Sequence, residues 1–244
     1  MTSEQPLGWI YEIFTSIQGE GLYCGQRQTF IRLAGCNLSC TYCDTAYARK
    51  DDPIVARMET SPGNEVFTEI ANPISANGII AVCQNSGARV AAITGGEPLV
   101  QIDFLKSLMR ELKSSGLRTY LETNGTLHEE LSAVVDLTDV IAMDIKLPSS
   151  SGEEHWDDHK RFLEVARATE VFVKAVVSTD TSVDEVRQCA ELIASVDPAI
   201  TLVIQPMSGE RFTGISLIKM QKAALDMLED VRVIPQCHKA LGLL

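Results

Sequence analysis

The sequence carries three closely spaced cysteines, Cys36, Cys40 and Cys43, in the spacing C-x3-C-x2-C. Three thiolates this close can bind three irons of a cubane 4Fe–4S cluster and leave the fourth iron without a protein ligand. A structural zinc site instead uses four ligands from Cys or His, and the next Cys or His along the chain is Cys83. The spacing therefore favours a cluster with one open iron. A zinc site completed by a distant ligand and ordinary buried thiols are the two alternatives.

The composition is that of an ordinary soluble globular protein with an acidic charge balance. The 244 residues are 45% hydrophobic and 22% charged, with a formal net charge of −12. This length suffices for one sizeable α/β domain. An acidic chain lacks the basic face that nonspecific binding to nucleic acid or to anionic membranes needs, and no apolar run is long enough to span a bilayer. We therefore expect neither nucleic acid nor a membrane as a partner.

The cysteine usage and the first residues indicate the compartment. No basic segment followed by an apolar core stands at the start, so the sequence predicts no secretory signal peptide. Seven cysteines, an odd number with a cluster motif among them, indicate a reducing cytoplasm. We expect the four isolated cysteines to be ordinary thiols: Cys24, Cys83, Cys189 and Cys237.

Strand-like apolar runs alternate with helix-like segments along most of the chain. The predicted strands are Thr29–Leu33, Val90–Thr94, Arg118–Glu122, Val140–Ile145, Val171–Val177 and Ile200–Ile204, with Val231–Ile234 as a possible last strand. The predicted helices are Asp103–Ser114, Leu127–Val135, His155–Ala168, Ser182–Val196, with Ser182 or Asp184 as its cap, and Leu217–Leu228. Repeated strand–helix units imply parallel strands joined by right-handed crossovers. Two polar segments are predicted as loops: Arg49–Gly63 and, as a binding loop, Pro148–Gly152.

A second motif, residues 94–98 with the sequence Thr-Gly-Gly-Glu-Pro, follows the apolar run Val90–Ile93. Glycines at a strand end let backbone groups approach a ligand closely. With the cysteine spacing and the aromatic Tyr42, this motif resembles the radical S-adenosylmethionine (SAM) superfamily. The resemblance implies an α/β fold, a partial (β/α) barrel of about six parallel strands formed by residues 1–244 as one domain. It also implies that SAM binds the open iron of a 4Fe–4S cluster.

Five further segments narrow the resemblance: Glu12–Gly21, Glu122–Thr126, Asp144–Ser150, Gln205–Pro206 and Gln236–Lys239. With Cys43-Asp44-Thr45 they resemble the 7-carboxy-7-deazaguanine synthases, radical SAM enzymes of the 7-deazapurine (queuosine) pathway. The match extends from Glu12 to Lys239 and implies an N-terminal segment that contacts substrate and a C-terminal tail that closes over it.

The resemblance implies a carbon–nitrogen lyase reaction. A reduced cluster donates an electron to SAM, and the resulting 5′-deoxyadenosyl radical removes a hydrogen atom from 6-carboxy-5,6,7,8-tetrahydropterin. The ring contracts, ammonia leaves and 7-carboxy-7-deazaguanine forms. The expected cofactors are a 4Fe–4S cluster, SAM and Mg²⁺, and the protein positions them and excludes water. The expected partners are a flavodoxin-type electron donor and a second copy in a homodimer.

The resemblance also assigns residues to each part of the site. The cluster ligands are Cys36, Cys40 and Cys43, and Thr45 is the Mg²⁺ ligand. The SAM-binding residues are Tyr42, Asp44, Gly95, Gly96, Glu97, Ser149, Ser150 and Gln205. The substrate-binding residues are Ile17, Gln18, Gly19, Arg32, Thr94, Glu122 and His238. No side chain is assigned as catalytic, because SAM carries the radical.

Several of these residues have a structural alternative. The Arg32 guanidinium suits the substrate carboxylate, but an internal ion pair with Glu12 or Glu20 would also explain it. Thr45 has an oxygen that suits Mg²⁺, yet a threonine here would also cap a helix. Glu122 and His238 would serve equally as structural residues, and a serine pair such as Ser149 and Ser150 is common in ordinary loops.

Two other functions compete with the synthase. A glycyl-radical-enzyme activase shares the cysteine spacing and the Gly-Gly-Glu-Pro turn, but it would not need Thr45 or the segment Ser16–Gly21. A non-enzymatic iron–sulfur module would need neither that turn nor Asp144–Lys146. The number of motifs and their context favour the synthase.

Overall fold

One ten-stranded sheet runs through the structure, a computed structural model that describes residues 5–244. The strands are β1 (Leu7–Gly8), β2 (Ile10–Ile17), β3 (Arg27–Leu33), β4 (Val55–Glu59), β5 (Phe67–Ala71), β6 (Ile74–Ser75), β7 (Val90–Gly95), β8 (Arg118–Thr123), β9 (Val140–Ile145), β10 (Glu170–Val177), β11 (Leu202–Pro206) and β12 (Val231–Val233). The large sheet has the order β12-β11-β10-β9-β8-β7-β3-β2-β4-β5, and β1 pairs with β6 separately.

The parallel part of this sheet confirms the predicted α/β class. The seven strands β3 and β7–β12 run parallel, each hydrogen-bonded to its neighbour. Within residues 5–244 the sheet ends at β12 on one side and at β5 on the other, so it is open and does not close into a barrel. A largely parallel open sheet of this kind brings the carboxyl ends of its strands to one edge, where α/β proteins place their ligands.

The helices fill the connections between the parallel strands. They are α1 (Ala76–Asn85), α2 (Ile102–Ser114), α3 (His128–Ser132), α4 (Pro148–Ser151), α5 (Trp156–Ala166), α6 (Val183–Val196), α7 (Gly214–Leu225) and α8 (Cys237–Leu241). The long predicted helices begin and end within a few residues of these bounds. None of the helices within residues 5–244 has the length and apolar character that crossing a bilayer requires.

Two segments differ from the sequence prediction. The segment Arg49–Gly63 was predicted as a loop, and that is wrong for Val55–Glu59, which forms β4 between β2 and β5. It pairs with β5, which follows it in the chain, and with β2, some forty residues upstream, so its strand structure depends on tertiary pairing as well as on its own residues. Pro148–Gly152 was also predicted as a loop, but Pro148–Ser151 forms the short helix α4, which ends at Gly152 in the left-handed region.

On the concave face of the sheet, the side chains change from apolar at the base to polar at the carboxyl ends of the strands. Its apolar base includes Phe30, Tyr120, Ala142 and Phe172, which are all buried. Because side chains of one face recur every second residue, the same face continues two positions later with polar residues: Arg32, Glu122, Asp144 and Lys174. The carboxyl end of the sheet is therefore polar and its base is apolar. The opposite face packs against the helices in the main hydrophobic core.

The predicted cap of α6 is present, and it allows a direct test. The Ser182 hydroxyl accepts a hydrogen bond from the Glu185 backbone N–H at 3.1 Å. Replacing Ser182 by Ala removes this bond, so we expect the free energy of unfolding to fall by about 1 kcal/mol in urea denaturation. Ser195→Ala, at an exposed position near the other end of the same helix, is the control and should change stability by less than about 0.5 kcal/mol. Equal losses in the two variants would contradict the cap.

Candidate functional site

The carboxyl ends of the parallel strands open into a cavity of about 390 Å³. The predicted site residues that line it are Ile17, Gln18, Gly19, Arg32, Cys36, Cys40, Tyr42, Cys43, Asp44, Thr45, Thr94, Gly95, Gly96, Glu122, Gln205 and His238. Three predicted residues do not line it: Glu97, Ser149 and Ser150. The fold thus brings most of the predicted site together from segments that are far apart in sequence.

The three cysteines lie in the loop after β3, with free, partly buried thiols. Burial raises the pKa of the Cys36 and Cys40 thiols, and the nearby Lys146 ammonium opposes that shift. Within residues 5–244, no three His, Cys, Asp or Glu side chains converge on one point as the ligands of a single ion would. A cubane does not require convergence, because each thiolate binds a different iron. Three free cysteines that line one cavity are a donor set that fits the cluster.

Side chains from neighbouring strand ends hold the cysteine loop in place. The Asn37 amide donates to Thr126 Oγ1 at 2.9 Å and accepts from Asn124 Nδ2 at 2.8 Å. The Thr41 hydroxyl donates to the Ser150 carbonyl at 2.7 Å, and Arg49 donates to the Cys40 carbonyl. These contacts fix the loop at both ends of the cysteine motif.

The turn after β7 admits only glycine at its centre. Gly95 has φ +146°, and a Cβ there would lie 2.2 Å from the Leu33 carbonyl oxygen. At Gly96 a Cβ would lie 2.1 Å from the Gly35 carbonyl oxygen. The turn therefore packs directly on the backbone that leads into the cysteine loop, and its own backbone is exposed to the cavity. The assignment of Gly95 and Gly96 to SAM binding stays a prediction.

Glu97 supports that turn from behind instead of facing the cavity. It is fully buried and accepts hydrogen bonds from the Asn124 N–H at 2.7 Å, the Thr123 hydroxyl at 2.9 Å and the Leu99 N–H at 3.1 Å. Burial raises the pKa of Glu97 to about 7, and these three hydrogen bonds oppose the shift. Its contacts join the glycine turn to the turn after β8, and its assignment to SAM binding stays a prediction.

The two predicted SAM serines are occupied by contacts within the protein. The Ser149 hydroxyl lies 2.8 Å from Thr181 Oγ1, and the Ser150 hydroxyl donates to the Val176 carbonyl at 3.1 Å. The two bonds hold α4 against the end of β10 and the loop that follows it. The role of the serines in SAM binding stays a prediction.

The predicted substrate side is organised around Gln18 and Glu122. Gln18 Nε2 donates to Glu122 Oε1 at 2.9 Å and to Gln28 Oε1 at 3.2 Å, and its Oε1 accepts from the Glu20 N–H at 3.1 Å. Thr94 Oγ1 donates to the second oxygen of Glu122 at 2.8 Å. These hydrogen bonds hold both side chains in fixed orientations beside the cavity.

Arg32 forms the ion pair that was the alternative to a substrate contact. Its Nε lies 2.9 Å from Glu12 Oε1, and Glu12 also contacts Tyr47 at 3.1 Å and Arg57 at 3.3 Å. The other two guanidinium nitrogens of Arg32 make no hydrogen bond to any residue between 5 and 244. Burial opposes the Arg32 charge, but Tyr47 and Glu12 raise the pKa of Arg32 nevertheless. Glu12 thus orients a guanidinium whose other nitrogens remain available at the cavity wall.

Thr45 stands just before the 3-10 turn Ala46–Arg49, at the position of a cap. Its hydroxyl makes no capping hydrogen bond and lies 3.8 Å from Cys43 Sγ. The capping alternative therefore lacks the side-chain bond on which it depends. Thr45 lines the cavity together with the three cysteines.

The C-terminal segment closes one side of the cavity. The Cys237 N–H donates to the Gly19 carbonyl at 2.8 Å. The His238 ring packs so tightly on Gly19 that a Cβ at Gly19 would lie 2.2 Å from His238 Nδ1. Residue 19 must therefore be glycine for this contact.

A chain of buried charges crosses the cavity, and the sequence analysis missed its lysines. Lys146 Nζ lies 3.0 Å from Asp144 Oδ2 and 3.1 Å from the Tyr42 hydroxyl. Lys174 Nζ contacts Glu20 and lies 3.6 Å from Asp144 Oδ2. The signal that singled out Arg32, a charged residue on an otherwise apolar strand, would also have identified Lys174.

Two buried oxygens at the cavity have no hydrogen-bond partner within residues 5–244. They are Asp144 Oδ1 and Gln205 Oε1. A buried acceptor without a donor costs free energy, so both oxygens suit hydrogen-bond donors on a bound molecule. For Gln205 this observation fits its predicted place beside SAM.

The chain is similar to known proteins along nearly its whole length. A sequence model of the Radical SAM superfamily matches residues 30–193. The chain is 40% identical to the 7-carboxy-7-deazaguanine synthase of Geobacter sulfurreducens, over 98% of both chains. It is 37% identical to that of Methanothermobacter thermautotrophicus, over 96% of this chain and 97% of the relative. The crystal structure of QueE from Escherichia coli has a TM-score of 0.63 at 21% identity, covering 98% of this chain and 100% of the other, which is a likeness of fold.

A buried histidine behind the cavity gives the site a pH-dependent element. His159 is fully buried; its Nδ1 lies 2.9 Å from the Gly125 carbonyl, and its Nε2 accepts from the Lys146 N–H at 3.0 Å. Nε2 therefore carries no proton, and Nδ1 is the donor. Burial lowers the pKa of His159 to about 4.

We expect this histidine to destabilise the folded protein in acid. Between its ordinary pKa of 6.5 and the folded value of about 4, the unfolded chain binds a proton that the folded chain excludes, so stability falls as the pH falls through this window. The loss should approach about 3 kcal/mol near pH 4. Urea denaturation at pH 7 and pH 4.5 should show a smaller pH effect in His159→Gln than in the parent, whereas His128→Gln should keep the parental effect. An unchanged pH effect in His159→Gln would contradict this account.

Proposed function

The chain belongs to the radical SAM superfamily and, within it, to the 7-carboxy-7-deazaguanine synthases, and from that premise we propose its substrate, its metal and its partners. It is a radical SAM enzyme of the lyase class. The proposed reaction converts 6-carboxy-5,6,7,8-tetrahydropterin to 7-carboxy-7-deazaguanine with loss of ammonia.

One observation carries the proposal. A single cavity is lined both by the three cysteines and by Gln18, Glu122 and Arg32. A 4Fe–4S cluster with SAM on its open iron would supply hydrogen-atom abstraction, and Cys36, Cys40 and Cys43 would hold it. The Gln18 amide and the Glu122 carboxylate offer hydrogen-bond donors and acceptors that a pterin ring requires. Holding the two molecules in one enclosed space supplies the orientation that such a reaction needs.

The protein's own residues would position the substrate at three points. Arg32, oriented by Glu12, would bind the carboxylate with its remaining nitrogens. Gln18 and Glu122, already fixed by hydrogen bonds, would face the ring. The C-terminal segment at Gly19 would exclude water, which supports the proposed closing tail.

Family membership supports the remaining parts of the proposal. We propose Mg²⁺ as a further cofactor, with the Thr45 hydroxyl as its ligand. The enzyme needs an external one-electron donor, for which we propose a flavodoxin-type protein. We further propose a homodimer that works in the cytoplasm.

The decisive experiment uses the whole enzyme under anaerobic conditions. The cluster is reconstituted, and SAM, Mg²⁺, a reductant and the carboxytetrahydropterin are added. We expect the deazaguanine product by mass spectrometry and release of ammonia. Cleavage of SAM without conversion of the pterin would overturn the proposed substrate. A glycyl-radical activase would instead require a partner protein for any product.

The proposed function gives three predictions, and the first concerns the ligands of the cluster. Cys36→Ala, Cys40→Ala and Cys43→Ala should each lose the brown colour and SAM cleavage, because every one removes an iron ligand. Iron content and absorbance measure the cluster without turnover. Cys24→Ala and Cys189→Ala are the exposed and buried controls and should retain about four irons per chain. A colourless parent protein with bound zinc and full activity would contradict the cluster.

The Arg32 assignment gives the second. Arg32→Lys should weaken binding of the carboxylated pterin at least about tenfold, because an ammonium cannot reproduce the guanidinium fork. Binding of SAM should stay intact. Arg57→Lys is the matched control, since Arg57 also pairs with Glu12 but does not line the cavity. Equal affinity of the parent for a decarboxylated analogue would contradict the carboxylate contact.

The Thr45 assignment gives the third. If its hydroxyl binds Mg²⁺, Thr45→Ala should blunt the rise of turnover with added Mg²⁺, and Thr45→Ser should keep most of it. If Thr45 acts as a cap, Thr45→Ala should instead lower stability by about 1 kcal/mol and leave the metal response unchanged. Activity against Mg²⁺ concentration, measured beside a melting curve, separates the two results.

A further inference from the structure

One ammonium group joins two carboxylates that belong to different sides of the cavity. Lys174 projects from β10 and contacts the Glu20 carboxylate, and its Nζ lies 3.6 Å from Asp144 Oδ2. Glu20 follows the proposed substrate-binding segment, and its N–H donates to Gln18. Asp144 lies at the end of β9 and contacts Lys146, which in turn holds Tyr42 on the proposed SAM side. Lys174 therefore forms an ion pair with one carboxylate on the proposed substrate side, Glu20, and with one on the proposed SAM side, Asp144.

These charges are strongly interdependent because they are poorly solvated. The side chains of Lys174 and Glu20 are only 15% and 17% exposed. Burial disfavours ionisation of Glu20, but Lys174 and a hydrogen bond from Gln236 outweigh burial and lower the pKa of Glu20 to about 2. Burial likewise disfavours the Lys174 charge, but Glu20 and Asp144 raise its pKa. Both groups are ionised at neutral pH, and neither has a large solvent shell to replace a lost partner.

One carboxylate oxygen among these charged groups remains able to accept a hydrogen bond from a ligand, and it belongs to Asp144. Asp144 Oδ1 is buried and has no donor within residues 5–244. A bound molecule that donates a hydrogen bond to this oxygen would draw charge density away from Oδ2. The attraction between Asp144 and Lys174 would weaken, and Lys174 would then interact more strongly with Glu20.

The Glu20 side leads to the segment that closes the cavity. The second Glu20 oxygen accepts from Gln236 Nε2 at 2.7 Å. Gln236 directly precedes Cys237, whose N–H donates to Gly19 at 2.8 Å. A firmer Lys174–Glu20 pair would hold Glu20 in the orientation that bonds Gln236, and so favour the closed position of residues 236–238 over the substrate side.

We propose that Lys174 is a positioning residue that makes the binding of SAM and of the pterin substrate mutually dependent. This inference rests on the proposed function. Because binding free energies are linked, SAM must tighten the pterin by the same factor by which the pterin tightens SAM. Lys174 itself need not touch either molecule.

The test measures binding without turnover. Cluster-loaded enzyme is kept anaerobic without reductant, and the Kd of SAM is measured by calorimetry with and without the carboxytetrahydropterin, and then the reverse. In the parent we expect each ligand to tighten the other about fivefold or more. The coupling is the ratio of the Kd of one ligand without the other ligand to its Kd with it. Lys174→Met should bring this ratio close to one. Lys174→Arg, which keeps the charge, should retain part of it.

Further variants separate coupling from stability. Glu20→Gln removes the charge at the other end of the link at nearly constant size and should also abolish the coupling. Lys113→Met is the control and should keep the parental ratio, because Lys113 lies on α2, pairs with Asp139 and does not line the cavity. If Lys174→Met fails to fold, Lys174→Arg and Glu20→Gln still decide the question.

The outcomes distinguish this inference from the proposed function. If the pterin is bound and converted but the binding ratio in the parent is one, or is unchanged in Lys174→Met and Glu20→Gln, the coupling role is overturned alone. Equal weakening of both ligands with an unchanged ratio would show that Lys174 is only structural, and also overturns it. If the parent does not bind the pterin at all, the proposed function fails and this inference fails with it.

Discussion

Four charged groups in the cavity, Arg32, Glu122, Asp144 and Lys174, depend on the alternation of side chains along the parallel strands. Each strand places an aromatic or small residue at the base of the concave face and a polar residue two positions later. Phe30 precedes Arg32 in this way, and Phe172 precedes Lys174. The apolar base is buried, so the polar groups above it are partly desolvated and interact strongly with one another. The same geometry that completes the core thus builds the site.

Desolvation requires that each charge have a partner, and the partners explain the shape of the site. Glu12 orients Arg32, and Asp144 lies between two lysines. Removing one partner from such a pair usually costs more free energy than the pair contributes, because the remaining charge stays buried. The residues that surround the ligands are therefore held in fixed positions before a ligand binds. Preorganisation of this kind lowers the cost of placing two molecules in one cavity.

The glycine turn and the cysteine loop form one unit, although sixty residues separate them. Gly96 packs on the Gly35 backbone, and Glu97 holds the Asn124 turn, whose side chain binds Asn37. The supports of the cysteine loop are thus joined through a buried carboxylate. A sequence motif that reads Gly-Gly-Glu has two separate roles here: the glycines allow close approach, and the glutamate connects neighbouring strand ends.

Much of the parallel sheet could be predicted from the sequence, because each buried strand is a short apolar run that carries its own signal. The strand Val140–Ile145 was predicted with its observed bounds, and Ser182 was predicted as a cap. The strand β4 was missed, since Val55–Glu59 has polar residues within a short run, and its strand structure depends on pairing with β2 and β5. The helix α4 was missed because four residues are too few for a helical period to show.

The sequence by itself determined the chemistry of this protein: three thiols at a set spacing, a turn that only glycine can occupy, and an arginine on an apolar strand. Those features are local, and local spacing constrains which ligand can bind. Only the tertiary structure decided which charges meet. The sequence left Arg32 with either a substrate or an internal partner, and the structure places Glu12 on its Nε. It also brings Lys174 against Glu20, 154 residues away. Such pairs follow from the register of strands in the sheet, and register is set by packing across the whole fold.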